Sequence, residues 1–302
     1  MDRSLVVPLV YATIALAWGG TWVAGKVVVA QVPPLEMSTL RFAIAAVVLF
    51  GIVVITRTPL VWARFRYVFL AAIFGVFGYN AMVFVGLTIA PASDGALITP
   101  TAIPVLTAVA ATFIGEPLTR RKVLGLVLAT VGSALVIAGG QAAVTAGLSV
   151  ERLVGDVLFL GGAMCWAAYS VFGSVSMRDR SPIAFTALTV AIGAALLFPL
   201  GFLEHGFSDV PAWAPASWAL VIFLALVATV LAFALYLWGV RRFGAGLSSL
   251  VGYLVPVAGV ALSFLILGER PHPLQLVGGG VILAGVSVAT LRRRAPQLEA
   301  AA

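Results

Sequence analysis

Charged residues are scarce in this chain. Only 10% of its 302 residues are Asp, Glu, Lys or Arg, whereas 62% are hydrophobic. A soluble domain would carry roughly 25% charged residues, so the composition excludes a soluble globular protein. It predicts an all-α polytopic membrane protein, because long apolar runs without alternation cross a bilayer only as helices.

Cysteine and histidine are almost absent as well. The chain has one cysteine, Cys165, and two histidines, His205 and His272. A lone thiol cannot form an internal disulfide, and neither a His-Glu-x-x-His motif nor a cysteine pair is present to bind zinc. The run from Gly20 to Lys26 imitates a phosphate-binding loop, but Val27 follows it where Ser or Thr is required. We therefore predict no metal, no cofactor and no ATP hydrolysis.

Ten apolar runs are long enough to be membrane-spanning helices, since a hydrocarbon core ~30 Å thick takes about 20 helical residues. The predicted spans are 5–25, 36–56, 67–88, 94–114, 123–140, 154–175, 183–203, 216–238, 247–267 and 274–291.

Basic residues alternate between the two sets of loops that these spans define. Fourteen of the 18 Lys and Arg residues lie in one set, and only Lys26, Arg152 and Arg270 lie in the other. Because cytoplasmic loops are enriched in Lys and Arg, the pattern predicts ten crossings with both termini in the cytoplasm. The net charge of +7 arises mainly in these short loops, so nucleic acid is not a predicted partner.

The chain also repeats itself. Trp18 and Leu49-Phe50 recur 148 residues later as Trp166 and Leu197-Phe198. At an offset of 153 residues, a second set recurs: Gly115-Glu116, Gly125 and Gly132 as Gly268-Glu269, Gly278 and Gly285. Five spans per copy is an odd number, so the copies must face opposite ways. We predict a first five-helix repeat at 1–150, an inverted second repeat at 151–295 and a short cytoplasmic tail at 296–302. Many secondary transporters have this architecture.

The motifs resemble the drug/metabolite transporter superfamily, in particular its EamA-type members with two five-helix repeats. The residues that carry the resemblance are Ala17-Trp-Gly-Gly-Thr-Trp22, Arg41-Phe42, Pro104 through Glu116, Gly125 with Gly132, Pro256 through Glu269, and Gly278 with Gly285. The resemblance covers residues 5 to 291. It implies a ten-helix bundle whose helices one, three, four, six, eight and nine line a cavity for small organic solutes, which such proteins often export.

Within the superfamily the chain looks most like the YddG-type amino-acid exporters. The second copy departs from the first at two positions. Thr189 stands where the first copy has Arg41, and Arg270 replaces Pro117.

Neutral polar and aromatic side chains inside the spans are the candidates for contacts with a solute. They are Trp18, Trp22, Tyr79, Asn80, Thr99, Trp166, Tyr169, Ser248, Ser249 and Tyr253. Transporters place their sites where helices are broken or bent, and we predict bends at Gly19, Gly20, Pro100, Pro104 and Pro256. The alternative is that aromatic rings form interfacial belts and that hydroxyls bond their own backbone.

Ionisable side chains within the spans are few. Asp94 and Asp156 lie in first turns, where a carboxylate favours the helix dipole. Arg41 and Lys26 lie near outer ends of spans, from which long basic side chains reach the surface. Lys26 could instead bind an anionic group of a solute.

Two further features indicate structure rather than chemistry. Gly125 and Gly132 are seven residues apart on one helix face, which favours close helix packing. Glu116 and Pro117 between consecutive spans are typical of a helix start.

The sequence thus predicts a carrier rather than an enzyme. The predicted function is transport, in the export direction, of small organic metabolites such as amino acids, by alternating access across a bacterial-type inner (plasma) membrane. The predicted partners are this small-molecule solute and membrane lipid, and the oligomeric state stays open, a monomer included. Transport of drugs or nucleotide-sugar-like solutes, an intramembrane enzyme acting on lipid-linked groups, and a scaffold subunit are the alternatives.

The inverted topology predicts which loops share an aqueous compartment. On a Cys165→Ala background, we expect Arg120→Cys and Arg270→Cys to react with an impermeant maleimide from opposite sides of the membrane. Labelling of both residues from the same side would contradict the inversion.

Overall fold

The computed structural model describes residues 3–90, 92–138, 150–267 and 272–290, and no β-strand occurs among them. Several predicted features lie outside these residues. They are Gly268, Glu269 and Arg270 of the second motif, the basic cluster at 292–294 and the tail at 296–302.

Successive helices form ten rods within the described residues. We number them α1 (Arg3–Val29), α2 (Pro34–Ile55), α3 (Phe65–Ile89), α4 (Ala92–Thr112), α5 (Arg120–Ala138), α6 (Val150–Ser176), α7 (Pro182–His205), α8 (Pro215–Phe243), α9 (245–267) and α10 (Pro273–Thr290).

Each predicted span falls on one of these rods, and the ends agree to within five residues. Six rods (α1, α2, α3, α6, α7 and α8) are long and apolar enough to cross a membrane. Shorter apolar helices lie within α4, α9 and α10. The fold is therefore an all-α, polytopic membrane protein, while the count of ten crossings and the cytoplasmic termini stay predictions.

Three rods depart from regular α-helix near their middle or start. Residues Ala72–Gly78 of α3 and Leu224–Leu231 of α8 form π-helical turns, and Ser249–Tyr253 of α9 form a 3₁₀ segment. By contrast, α1 runs without interruption through Gly19 and Gly20, and α4 through Pro100 and Pro104. Pro256 lies just beyond the 3₁₀ segment. Bending at these glycines and prolines stays a prediction, and the irregular backbone lies elsewhere.

The helices pack in a recurring set of pairs. Helix α5 packs along α10, and α2 packs along α7. Both α3 and α4 pack on α6, while α8 and α9 pack on α1. As a result α1 and α6 occupy corresponding positions, each covered by two rods from elsewhere in the chain.

The α5–α10 pair is in backbone contact, as the glycine spacing predicts. A Cβ atom added to Gly125 would lie 2.6 Å from the Gly285 carbonyl oxygen, and one added to Gly132 would lie 2.7 Å from the Gly278 carbonyl oxygen. Real Cβ atoms do not approach this closely, so only glycine fits. We call these four glycines the glycine seam.

Glu116 joins the α4–α5 connection to the start of α9. Its two carboxylate oxygens accept hydrogen bonds from the backbone N–H groups of Ala245, at 2.7 Å, and Gly246, at 3.0 Å. Gly244, with φ +89°, has no room for a Cβ beside the same carboxylate. Glu116 therefore caps a helix far away in sequence, and assigning it to its own helix start was wrong.

Asp94 does more than favour the dipole of its own helix. The guanidinium of Arg152 donates to both oxygens of this carboxylate, at 2.6 and 3.0 Å. This bidentate ion pair connects the first turn of α4 to the first turn of α6.

The close packing of the glycine seam can be tested by adding a single methyl group to one of its glycines. Gly132→Ala places a Cβ against backbone atoms that cannot move aside, and overpacking costs about 1–3 kcal/mol. We expect a clear fall in the thermal unfolding temperature of the purified protein. Gly51→Ala is the matched control, since its Cβ meets nothing within 4 Å and alanine favours helix by about 0.5–1 kcal/mol. Equal stability of the two variants would contradict the packing.

The Glu116 cap makes a second prediction. Glu116→Ala leaves the first N–H groups of α9 without acceptors, which should destabilise the protein by about 2 kcal/mol. The exposed Glu151, in the first turn of α6, is the control, because Glu151→Ala removes a dipole contact worth at most about 1 kcal/mol. Thermal unfolding of both variants in detergent measures the difference, and a larger effect at Glu151 would refute the cap.

Candidate functional site

A cavity lies in the middle of the bundle. The space between atoms in this cavity is about 750 Å³, which includes space open to the surroundings. Its wall is Trp18, Thr21, Trp22, Arg41, Tyr79, Asn80, Val83, Phe84, Leu87, Thr99, Pro100, Ile103, Trp166, Ala228, Phe233, Tyr236, Ser249, Val251, Gly252 and Val255. These residues come from α1, α3, α4, α6, α8 and α9, with Arg41 added from α2.

A cluster of aromatic rings forms one end of this cavity. The Trp166 ring lies at its centre, with centroids 5.1 Å from Trp18, 5.0 Å from Tyr79, 5.1 Å from Phe233 and 5.6 Å from Tyr236. Edge-to-face and tilted rings at such distances attract one another beyond their apolar burial. The cluster therefore brings together four rods through side chains rather than backbone.

Beyond this cluster, towards the start of α1, the bundle interior is filled. Tyr11 and Ile14 are buried there, and the Tyr11 hydroxyl donates to Ser248 Oγ at 3.4 Å. The Tyr236 hydroxyl, in turn, shares a 2.7 Å hydrogen bond with Ser170. Tyr11, Ile14, Ser170 and Ser248 are not among the residues of the cavity wall.

The irregular helix segments contribute polar groups to the wall. The indole N–H of Trp18 donates to the carbonyl of Ala228 within the π-helical turn of α8, at 3.2 Å. The amide of Asn80 donates to the carbonyl of Val76 within the π-helical turn of α3, at 2.7 Å. Gly252 in the 3₁₀ segment of α9 packs on the carbonyl of Pro100. A Cβ atom added to Gly252 would lie 3.2 Å from that carbonyl oxygen. The wall therefore includes irregular backbone of α8 and α9, whereas in α3 it begins at Tyr79, directly after the π-helical turn.

Most of the residues predicted from the sequence lie in this wall. They are Trp18, Trp22, Tyr79, Asn80, Thr99, Trp166 and Ser249, together with Pro100. Trp18 and Trp166 occupy equivalent positions in the sequence repeat, and in the structure their rings are also in contact. Whether these residues bind a solute stays a prediction.

Three predicted residues point elsewhere. Tyr169 is fully buried behind the wall, where its ring covers Gly75. Tyr253 faces α5 and shares a 2.9 Å hydrogen bond with Thr130. Ser248 accepts its hydrogen bond from Tyr11. The structure therefore gives these three side chains packing contacts outside the cavity wall.

Sequence reasoning missed other wall residues. Phe233 and Tyr236 are three residues apart on one face of α8, a spacing that could have indicated them. Thr21 lies between the two predicted tryptophans of α1. Arg41 was expected to reach the surface, and this was wrong, because its side chain is buried and donates to Asn80 Oδ1 at 2.9 Å.

Lys26 lies outside the wall. Its ammonium group donates to the carbonyl of Leu87 at 2.8 Å, and the residue is exposed. Lys26 therefore connects the C-terminal end of α1 to the C-terminal end of α3 and does not line the cavity.

Chemically, the wall is aromatic, neutral and polar, with one formal charge on Arg41 among its described residues. No group of three His, Cys, Asp or Glu that could hold a metal occurs in the part of the chain that the structure describes. The arrangement is suited to holding a small organic molecule with an apolar body and a few polar groups.

Several known proteins are similar to this chain. "Uncharacterized transporter YyaM" of Bacillus subtilis (strain 168) is 32% identical over 290 residues, 92% of each chain. "Probable terminal-alkyne amino-acid exporter" of Streptantibioticus cattleyicolor is 28% identical over 228 residues, 75% of this chain and 73% of that one. "Probable amino-acid metabolite efflux pump" of Salmonella typhimurium is 26% identical over 296 residues, 91% of each chain.

A solved crystal structure shares the fold. It is 25% identical in sequence, with a TM-score of 0.77, and the match covers 93% of this chain and 95% of the other. The model of the EamA-like transporter family matches twice, at residues 7–138 and 153–291. With two matches that together cover most of its length, the chain belongs to the EamA-like transporter family, within the drug/metabolite transporter superfamily.

Proposed function

We propose that this membrane transporter exports small organic metabolites, amino acids with aromatic side chains among them, by alternating access through the central cavity. The observation that carries the proposal is the cavity itself. Its wall combines tryptophan and tyrosine rings with neutral hydrogen-bonding groups, and it is built by three rods from each half of the chain together with Arg41 of α2.

The helix contacts support two inverted repeats. In such an arrangement the helices of the first half correspond to those five places later, so the pairs α4–α6 and α9–α1 are equivalent, as are α3–α6 and α8–α1. These pairs all occur. The π-helical turns also fall in the equivalent helices α3 and α8. We therefore assign residues 1–150 and 151–295 to inverted copies, with both termini in the cytoplasm.

The relatives support the substrate class. The names of two of them specify an amino-acid exporter and an amino-acid metabolite efflux pump. Aromatic walls bind apolar side chains by burial and bind cationic amines through the ring faces. An aromatic amino acid presents both groups, and a bacterial-type inner membrane is the setting in which such export would operate.

Drugs and nucleotide-sugar-like solutes are the alternative cargoes, and an intramembrane enzyme acting on lipid-linked groups is the alternative activity. Flux without chemical change of the solute supports the carrier. Turnover without flux would support the enzyme.

The proposal predicts which tryptophans matter. In proteoliposomes, Trp18→Ala and Trp166→Ala should each reduce the initial flux of labelled phenylalanine by roughly tenfold, because each removes an aromatic contact worth about 1–1.5 kcal/mol. Cells expressing these variants should also lose resistance to toxic analogues of aromatic amino acids.

Trp62→Ala is the matched control, since Trp62 lies in a loop with 64% of its surface exposed. It should retain wild-type flux. Thermal unfolding of each purified variant separates loss of binding from loss of fold. Wild-type flux in well-folded Trp18→Ala and Trp166→Ala would show that the cavity is not the transport site.

A further inference from the structure

Arg41 is a buried cation that forms an ion pair with no carboxylate among the residues that the structure describes. Its side chain lies in the wall of the cavity with 4% of the residue exposed. One guanidinium nitrogen, Nη2, donates to Asn80 Oδ1 at 2.9 Å. The other two, Nε and Nη1, are buried and have no acceptor in the part of the chain that the structure describes. The guanidinium carbon lies 4.3 Å from the ring centroid of Phe42 and 5.1 Å from that of Phe84.

Placing such a group in the interior of a membrane protein costs free energy. Burial removes the hydration of the cation, and each buried donor without an acceptor adds a further penalty. Buried charges in proteins are normally paired, and those in membrane-spanning helices commonly mark the path of a solute or ion.

Within the described ranges, no carboxylate supplies the missing charge. No carboxylate is among the described residues of the cavity wall. On the same helix, Glu36 accepts a hydrogen bond from the backbone N–H of Phe207 at 2.7 Å. The ion pairs found in the described residues join other partners.

The architecture does not itself require an arginine at this place. Thr189 of α7 occupies the equivalent position in the second half of the sequence, 148 residues later. It is fully buried, and its hydroxyl bonds the carbonyls of Phe185 at 3.0 Å and Thr186 at 3.1 Å of its own helix. A neutral, locally satisfied side chain thus suffices where α7 packs on α2.

We propose that the Arg41 guanidinium binds the carboxylate of the transported molecule. The inference rests on the proposed transport function and narrows its substrates to organic anions and zwitterions with an apolar or aromatic body. The carboxylate oxygens accept hydrogen bonds from the free N–H groups of Arg41, and the body of the solute lies against the aromatic cluster around Trp166. Because both nitrogens are covered in this state, the carboxylate replaces a ring contact of the guanidinium as it binds.

This recognition predicts discrimination among molecules that share one phenyl ring. Phenylalanine and 3-phenylpropionate carry a carboxylate, whereas phenethylamine carries only the ammonium group. Reconstituted wild-type protein should transport the two carboxylates with a lower KM than the amine. A charge-assisted hydrogen bond of the usual strength corresponds to a ratio of about 10- to 100-fold.

The test compares Arg41→Met and Arg41→Lys, with the exposed Arg121→Met as a control for loss of one positive charge. Arg41→Met should raise the KM for both carboxylates by about 10- to 100-fold and leave the KM for phenethylamine unchanged. Arg41→Lys, which retains the charge, should keep the preference for carboxylates at reduced affinity. Arg121→Met should match the wild type for all three compounds.

A purely structural Arg41 would give a different result. The KM or flux for all three compounds would then change by the same factor in both Arg41 variants, which would overturn the inference. Should Arg41→Met fail to fold, Arg41→Lys still decides, since a selective rise in KM for the carboxylates supports the proposal and a uniform change overturns it. Wild-type protein that transports phenylalanine and phenethylamine with equal KM would refute carboxylate recognition alone. Wild-type protein that transports none of the three would refute the proposed function and this inference together.

Discussion

Satisfaction of polar groups without water is the constraint on which the rest of this molecule depends. In a hydrocarbon solvent, backbone N–H and C=O groups must be paired within the protein, so the apolar runs become helices. Irregular backbone is tolerated at membrane depth only where protein or a cavity covers it. The two π-helical turns and the 3₁₀ segment meet that condition. The side chains of Trp18 and Asn80 donate to carbonyls of the π-helical turns, and the segments of α8 and α9 contribute residues to the cavity wall.

Charged side chains are subject to the same constraint, and their charges are compensated in different ways. Asp94 and Arg152 neutralise each other, and Glu116 receives two backbone N–H groups at the start of α9. Each of these charges lies near a helix end, where a charge costs less free energy than at the centre of the bilayer. Arg41 differs, because it lies within α2 in the cavity wall and has one amide partner. A charge with little compensation is therefore part of the cavity wall.

Sequence patterns predicted the features that depend on residue spacing. The ten rods follow from the lengths of apolar runs, and the glycine seam follows from a seven-residue interval. The repeat identified Trp18 and Trp166 as equivalent positions, but their ring contact was not predicted. Spacing shows which residues share a helix face, and it does not show which face turns towards the cavity. For that reason Tyr169 and Tyr253 were placed in the wall, although they pack against Gly75 and Thr130.

Partners distant in sequence were beyond such patterns. Arg41 meets Asn80 only because α2 and α3 pack together, and Glu116 meets Ala245 across 129 residues. Neither pair could be predicted from periodicity, because a single hydrogen bond between two helices produces no repeating pattern in the sequence of either helix.

The glycine seam has a mechanical consequence. Sliding α5 along α10 would drive the carbonyl of Gly278 or Gly285 into the opposing backbone. This helix pair therefore resists sliding and keeps its relative position. Neither helix contributes a described residue to the cavity wall. The wall is instead joined by rings and flexible polar side chains, whose contacts can be exchanged at modest cost. Contacts in the cavity wall can therefore change while the α5–α10 pair stays in place.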